Sequence, residues 1–185
     1  MNAADLAIAT LGPARIDSPL RPWIESRKTT EHYVEELDRV LFHDTLGQVT
    51  ATGLAPADLP GFEPAGPRRS IFFDPAKVRV GVVTCGGLCP GINDVIRGIV
   101  MELAFHYGVQ RIYGFRNGYQ GFIPCYGHDV VDLTPEVVSR IAEDGGTILG
   151  TSRGAQDPDG IVDCLERMNI GILFVIGGDG TLRGA

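Results

Sequence analysis

Residues 78–94, VRVGVVTCGGLCPGIND, decide the fold class. They begin with a short β-branched run, which is typical of a strand buried in a sheet. A glycine-rich turn follows, and Gly108 is placed to end the helix that comes after it. The apolar side chains of this helix recur on one face: Ile92, Val95, Ile96, Ile99, Val100 and Leu103. This order of strand, turn and helix is typical of a parallel α/β sheet.

The same alternation continues toward the carboxyl end. QRIYGF (110–115) predicts a second strand, and GILFVI (171–176) predicts a further, buried one. Two helix starts lie between them, because Thr134 and Asp157 are capping residues that each precede a proline. The apolar face of the second helix is Ile161, Val162, Leu165 and Met168. The predicted fold is therefore α/β, with a three-layer parallel sheet and helices on both of its faces.

The amino-terminal region differs in composition. Most of the 12 prolines lie in residues 1–75, and proline disfavours long regular elements. We predict an extended, proline-rich arm at 1–75 and the α/β domain at 76–185. The segment TTEHYVEELDRVLFHDTL (29–46) fits either a helix through Val34, Leu37 and Leu41 or a strand from Arg39 to Phe42. Periodicity does not decide between them.

Composition excludes several classes of protein. A net charge of -7 argues against general binding of nucleic acid. No apolar run approaches the roughly 20 residues that a transmembrane helix needs, and the start lacks the pattern of a signal peptide. We therefore predict a cytoplasmic protein that binds neither nucleic acid nor membrane. Its cysteines, Cys85, Cys89, Cys125 and Cys164, lack a zinc or C-x-x-C spacing and are predicted to be reduced packing residues.

Two glycine-rich turns follow predicted strands, TCGGLCPGIND (84–94) and GGDGT (177–181). Ligands of open parallel sheets bind beyond the carboxyl ends of the strands. Glycine there lets backbone N–H groups approach phosphate oxygens. Neither turn is a Walker A loop or a dinucleotide fingerprint.

Two charged residues accompany these turns. Asp179 could hold a hydrated Mg²⁺, which prefers one or two carboxylates together with phosphate oxygens. The alternative is a solvated aspartate in a tight turn. Arg153 lies near the end of GGTILGTSRG (145–154) and is available either to a phosphoryl group or to solvent.

Four segments, GVVTCGGLCPGINDVIRGIV, GFRNGYQGF, GGTILGTSRG and GILFVIGGDGT, occur in the order of the phosphofructokinase family. Over residues 78–185 the chain resembles the amino-terminal part of 6-phosphofructokinase, especially the plant and protist-like ATP-dependent branch that carries GGLCPG. The resemblance implies a glycolytic kinase of the cytoplasm, a homodimer or homotetramer. This kinase would transfer the γ-phosphoryl group of ATP to fructose 6-phosphate, with Mg²⁺ as cofactor.

The resemblance also implies roles for matching positions. Arg153 would touch the transferred phosphoryl group, and Asp179 would be the carboxylate on the metal side. Gly180 favours ATP over pyrophosphate, because pyrophosphate-dependent relatives typically carry Asp there. The whole implied site is Gly87, Tyr119, Arg153, Gly154, Gly178, Asp179, Gly180 and Thr181.

The chain departs from the family pattern in two respects. Leu88 stands where many bacterial members carry Asp, which weakens an inference of their allosteric control. The family's catalytic base, an Asp in T-I-D-N-D or T-I-D-G-D, is absent. We therefore expect an incomplete nucleotide-binding domain, with a helix beginning near Leu182 after GGDGT, and no turnover by the 185 residues alone.

Three alternatives stay open. The first is a pyrophosphate-dependent phosphofructokinase. The second is a kinase of the NAD or diacylglycerol type, which also uses GGDGT but lacks the TCGGLCPGIND and LGTSRG pair. The third is a truncated, non-catalytic chain that binds nucleotide or regulates a partner.

Overall fold

The computed structural model describes residues 6–26 and 33–185. The chain divides into two compact units, Met1–Phe72 and Phe73–Ala185. The change of composition near residue 75 lies close to this division. No helix in the described ranges is long and apolar enough to cross a membrane.

The first unit contains short elements, in keeping with its prolines. Strand β1 (Ile16–Asp17) pairs antiparallel with β4 (Ser70–Ile71), and β2 (Val40–Leu41) pairs antiparallel with β3 (Gly61–Phe62). Its helices are α1 (Arg21–Ser26), α2 (Leu46–Thr52) and a 3₁₀ turn at Pro56–Asp58.

The ambiguous segment 29–46 takes the strand alternative where the structure describes it. Residues 29–32 lie outside the described ranges, and β2 falls inside the predicted strand from Arg39 to Phe42. Leu37, which a helix would have turned toward a core, is 91% exposed. Thr45 then caps α2 by accepting a hydrogen bond from the amide of Gln48.

The second unit is built on a four-stranded sheet in the order β7-β6-β5-β8. The strands are β5 (Val80–Thr84), β6 (Ile112–Phe115), β7 (Val130–Asp132) and β8 (Ile172–Ile176). β5 pairs parallel with β6 and β8, as predicted, whereas β7 runs antiparallel to β6. The predicted parallel sheet is thus present, and β7 adds an antiparallel edge strand that the sequence did not predict. The β6–β7 connection, residues 116–129, holds 3₁₀ turns and no α-helix, which is the usual crossover between parallel neighbours.

Four helices accompany the sheet. They are α3 (Ile92–Met101), α4 (Pro135–Val138), α5 (Pro158–Met168) and α6 (Asp179–Leu182). Thr134 and Asp157 cap α4 and α5 as predicted, each accepting a backbone N–H. α3 continues as a π-helical turn, Glu102–His106, and stops before Gly108, whose φ is 73°. The expected helix start at Leu182 is wrong, because α6 already begins at Asp179.

Two apolar clusters cover opposite faces of the sheet. Val82 and α3 belong to one cluster, and Val83 and α5 belong to the other, since successive strand residues point to opposite faces. This arrangement confirms the three layers. Val95 and Val162, predicted on apolar helix faces, are instead 47% and 50% exposed.

Two further expectations about burial need correction. β8 is half-buried along its whole length, because it pairs only with β5 within the described residues. Cys85 and Cys164 are buried packing residues, as predicted. Cys89 and Cys125 are exposed, because both lie in turns at the surface.

Candidate functional site

Three glycine-rich segments converge beside the carboxyl ends of β5 and β8 on a cavity of about 670 Å³. We call this cavity the cleft. Its walls are residues 85–87, residues 152–156 and residues 178–184 except Leu182, with Tyr119, Pro158 and Ile161 closing the remaining sides. All eight residues implied by the resemblance line it: Gly87, Tyr119, Arg153, Gly154, Gly178, Asp179, Gly180 and Thr181.

The turn after β5 leaves the sheet beside β8. The Cys85 amide donates to the Ile176 carbonyl at 2.9 Å, which prolongs the pairing of the two strands. Gly86 then adopts φ +83°, which side chains rarely tolerate. A Cβ on Gly87 would meet nothing within 4 Å, so the backbone there is open to the cleft.

The turn after β8 is the first turn of α6. Thr181 is buried, and its side chain lies where a Cβ on Gly177 would project. Gly178 and Gly180 have open space at the corresponding positions. Their backbone is therefore accessible from the cleft, whereas at Gly177 the position of a Cβ is taken by Thr181.

Tyr119 stabilises this turn through a hydrogen bond to its backbone. Its ring is 9% exposed, and its hydroxyl donates to the Thr181 carbonyl at 2.8 Å. Burial raises the pKa of the Tyr119 hydroxyl, and the neighbouring Cys85 raises it further. The hydroxyl is thus a fixed neutral donor that holds the Thr181 backbone.

The loop that carries Arg153 is hydrogen-bonded to the turn after β5. The Thr84 hydroxyl donates to the Gly150 carbonyl at 2.7 Å, and the Thr151 hydroxyl donates to the Gly86 carbonyl at 2.7 Å. The Gly86 amide donates in return to the Ser152 carbonyl at 3.4 Å. These contacts fix the backbone on which Arg153 stands.

The cleft holds charges of both signs that are available to a ligand. Arg153 and Asp179 are exposed, and neither forms an ion pair within residues 6–26 and 33–185. No group of three or more His, Cys, Asp or Glu side chains that could hold a metal occurs in the described ranges. The cleft offers one carboxylate beside open glycine backbone, a donor set that fits a Mg²⁺ whose other ligands are phosphate oxygens and water.

Cys85 lines the cleft as a neutral group. Burial raises the pKa of its thiol from 9.0 to about 11. The thiolate, which is the nucleophilic form of cysteine, is therefore scarce near neutral pH. Cys85 contributes a packed wall and no nucleophile.

A family described as Phosphofructokinase matches residues 79–185, more than half of the chain. This chain belongs to the phosphofructokinase family. The match spans every segment of the cleft.

Individual phosphofructokinases agree with this assignment. A protein of Amycolatopsis methanolica named ATP-dependent 6-phosphofructokinase is 52% identical over 185 residues, covering 100% of this chain and 40% of the relative. One of Entamoeba histolytica with the same name is 54% identical over 123 residues, covering 66% of this chain and 28% of the relative. This chain therefore spans 40% or less of the length of these two relatives.

A solved phosphofructokinase shares the fold. The structure of phosphofructokinase from Saccharomyces cerevisiae aligns with a TM-score of 0.51 at 31% identity. The alignment covers 59% of this chain and 15% of the yeast chain.

Sequence reasoning missed part of the phosphofructokinase cleft. Pro158 and Ile161 were interpreted only as the start and the apolar face of α5, yet both line it. Thr84 and Thr151, which fix the loops behind the cleft without lining it, were also missed, because a threonine at a strand end or in a loop indicates packing or a turn as readily as a hydroxyl contact. The other residues not predicted are Cys85, Gly86, Ser152, Ala155, Gln156, Arg183 and Gly184.

Proposed function

We propose that this chain forms the phosphate-binding side of the active site of an ATP-dependent 6-phosphofructokinase. This enzyme transfers the γ-phosphoryl group of ATP to fructose 6-phosphate and gives fructose 1,6-bisphosphate. The observation that carries the proposal is the convergence of three glycine-rich segments on one cleft, together with Arg153 and Asp179, which form no ion pair within the described residues. Membership of the family and the names of the relatives support it.

The glycines receive the phosphate chain of the donor. Gly87, Gly178 and Gly180 leave open space where a side chain would project. Phosphate oxygens can therefore approach the backbone N–H groups directly. The fixed position of these amides means that little reorganisation is needed when charge moves along the phosphates.

We assign to Arg153 and Asp179 the neutralisation of charge on the phosphate groups, directly in one case and through Mg²⁺ in the other. We assign Arg153 to the phosphoryl group in transfer, because a guanidinium presents several N–H donors to phosphate oxygens. Asp179, with Thr181 fixed behind it, would hold Mg²⁺, which neutralises phosphate charge when it is bound. Gly154 next to Arg153 leaves space for the donor, since a Cβ there would meet nothing within 4 Å.

The open position at Gly180 favours ATP as the donor. An aspartate there would place a carboxylate in the space that we assign to the α-phosphate. The chain contains no T-I-D-x-D sequence. We therefore assign the removal of the sugar hydroxyl proton to no residue of this chain. A homo-oligomer in the cytoplasm stays a prediction.

Calorimetric titration with ATP and Mg²⁺ tests the proposal. We expect the chain to bind the complex, Arg153→Ala to weaken binding, and Asp179→Asn to remove the dependence on Mg²⁺. Arg167→Ala and Asp163→Asn are matched controls, because both residues are exposed on α5 and neither lines the cleft. Equal losses in the controls, or no binding by the unaltered chain, would contradict the proposal.

Turnover separates the enzyme from a non-catalytic nucleotide-binding chain. In the full-length protein that carries these residues, an aldolase-coupled assay should detect fructose 1,6-bisphosphate with ATP. Arg153→Ala should lower kcat by about 10³-fold, and Gly180→Asp should impair ATP more than pyrophosphate. We expect the 185 residues alone to show no turnover with either donor.

A further inference from the structure

We propose that Thr151 is a positioning residue whose hydroxyl orients the Gly87 N–H toward the phosphate groups in the cleft. The inference rests on the proposed function, because it concerns how the same cleft is prepared for its ligand. Thr151 itself is half-buried and does not line the cleft. It therefore acts through its hydrogen bond to the Gly86 backbone and makes no direct contact with a ligand.

The contact is short and belongs to a reciprocal pair. The Thr151 hydroxyl donates to the Gly86 carbonyl at 2.7 Å, across 65 positions of sequence. The Gly86 amide donates to the Ser152 carbonyl at 3.4 Å. The shorter bond fixes the direction of the Gly86 carbonyl.

Because the peptide bond is planar, the direction of the Gly86 carbonyl also sets the direction of the Gly87 N–H. The described chain has no cis peptide bond, and in a trans peptide the C=O and the N–H point to opposite sides. With the Gly86 carbonyl held toward Thr151, the Gly87 N–H points away from Thr151. No backbone hydrogen bond of this amide occurs in the described part of the chain, and a Cβ on Gly87 would meet nothing within 4 Å.

A tether is needed at this peptide because both of its residues are glycines. Two consecutive glycines have the widest choice of backbone angles, so an untethered Gly86–Gly87 peptide could rotate and withdraw its N–H. The hydrogen bond from Thr151 restricts that rotation before the ligand arrives. Pre-organised donors bind more tightly, because less ordering is left for the moment of binding.

The neighbouring threonines do not replace this contact. The Thr84 hydroxyl gives its one hydrogen to the Gly150 carbonyl at 2.7 Å, so the Thr147 hydroxyl donates to Thr84 at 3.0 Å. This chain of bonds joins the Arg153 loop to the end of β5. It leaves the Gly86–Gly87 peptide untouched, and only Thr151 among these hydroxyls contacts it.

The test compares Thr151→Val, which keeps the shape, with Thr151→Ser, which keeps the hydroxyl. The full-length protein is titrated calorimetrically with ATP and Mg²⁺ and, separately, with pyrophosphate. We expect Thr151→Val to weaken both ligands about tenfold, and Thr151→Ser to bind as the unaltered protein does. Thr134→Val is the matched control, because it removes a hydroxyl cap from α4, away from the cleft. It should lower the melting temperature without changing either affinity.

Each outcome decides a separate question. Unchanged affinity in Thr151→Val, or equal weakening in Thr151→Ser, would overturn the positioning role and leave the proposed function in place. A loss of affinity in Thr134→Val as large as in Thr151→Val would show that affinity follows stability, and would also overturn it. If the unaltered protein bound neither ligand, the proposed function and this inference would fall together.

Discussion

The turns that follow β5 and β8 each contain a pair of glycines. In each pair one glycine is needed for packing, and the other leaves space for a ligand. In Gly86-Gly87 and in Gly177-Gly178, the first glycine packs against Thr181, and the second has open space on the side of the cleft. At Gly177 a Cβ would come within 2.6 Å and 2.7 Å of the Cβ and Cγ2 of Thr181. At Gly86 it would lie 3.3 Å from the Thr181 hydroxyl.

The comparison separates two reasons for a glycine that look identical in sequence. The first of each pair allows two turns from distant parts of the chain to close on one threonine. The second leaves backbone open to a ligand. Stability should therefore depend on the first glycine, and phosphate binding on the second. Each of the following predictions tests this division.

The largest effect is expected from Gly177→Ala. The added methyl would overlap buried Thr181, and overpacking of this kind costs about 1–3 kcal/mol of the free energy of unfolding. Chemical denaturation measures the change. Gly178→Ala is the matched control, because its φ of -94° and ψ of -163° suit alanine and its Cβ would be unobstructed. Equal losses of stability in the two variants would remove the distinction.

The opposite result is expected for Gly178→Ala and Gly87→Ala, which should lower ligand affinity and leave stability nearly unchanged. Their folding should stay close to that of the unaltered chain, while the methyl occupies space needed by phosphate and weakens ATP with Mg²⁺ about tenfold. Calorimetric titration measures the dissociation constants. Unchanged affinity in both variants would show that the open space is not where the phosphates lie.

A smaller effect is expected from Tyr119→Phe. The change removes the 2.8 Å hydrogen bond to the Thr181 carbonyl and should cost about 1 kcal/mol of stability. Affinity for ATP should fall together with stability, because Thr181 lies in the turn after β8 that lines the cleft. Tyr126→Phe is a fitting control, because Tyr126 is 45% exposed. A melting temperature that falls equally in the control would contradict a specific role for the bond.

The smallest effect concerns Cys85, next to the packed glycine of the first turn. The pKa of its thiol rises from 9.0 to about 11 on folding, so the folded state holds the proton more tightly. The protonated Cys85 thiol therefore makes its full contribution to stability below pH 9, and this contribution is lost as the pH rises toward 11. Denaturation between pH 8 and 11 should show less decline in Cys85→Ala. An unchanged profile in that variant would assign the decline to other groups, such as Tyr119.

Sequence patterns predicted the elements whose signals are local. Thr134 and Asp157 are capping residues next to proline, and both begin helices as expected. The β-branched run of β5 forms a fully buried strand. The glycine turns lie at strand ends and share a cleft, because parallel strands bring their carboxyl ends to one edge.

The errors concern features that depend on distant neighbours. β8 is half-buried because of its place in the sheet, and β7 was not predicted, because two valines and one aspartate carry no distinct signal for a strand or its direction. Val95 and Val162 fit their helix faces by spacing, yet point to solvent, since spacing does not tell how wide a contact is. The contacts of Thr181 with two separate turns leave no local signal at all.

The position of Thr181 also has a consequence for the order of folding. Its partners lie in the turn after β5, in the 3₁₀ segment after β6 and in the turn after β8, and its hydrogen bond to Tyr119 spans 62 positions. Contacts so distant in sequence are slow to form, because loop closure precedes them. We therefore expect the cleft to be assembled late, after the three strands have paired. A ligand of the cleft would then leave the rate of folding unchanged and slow unfolding instead.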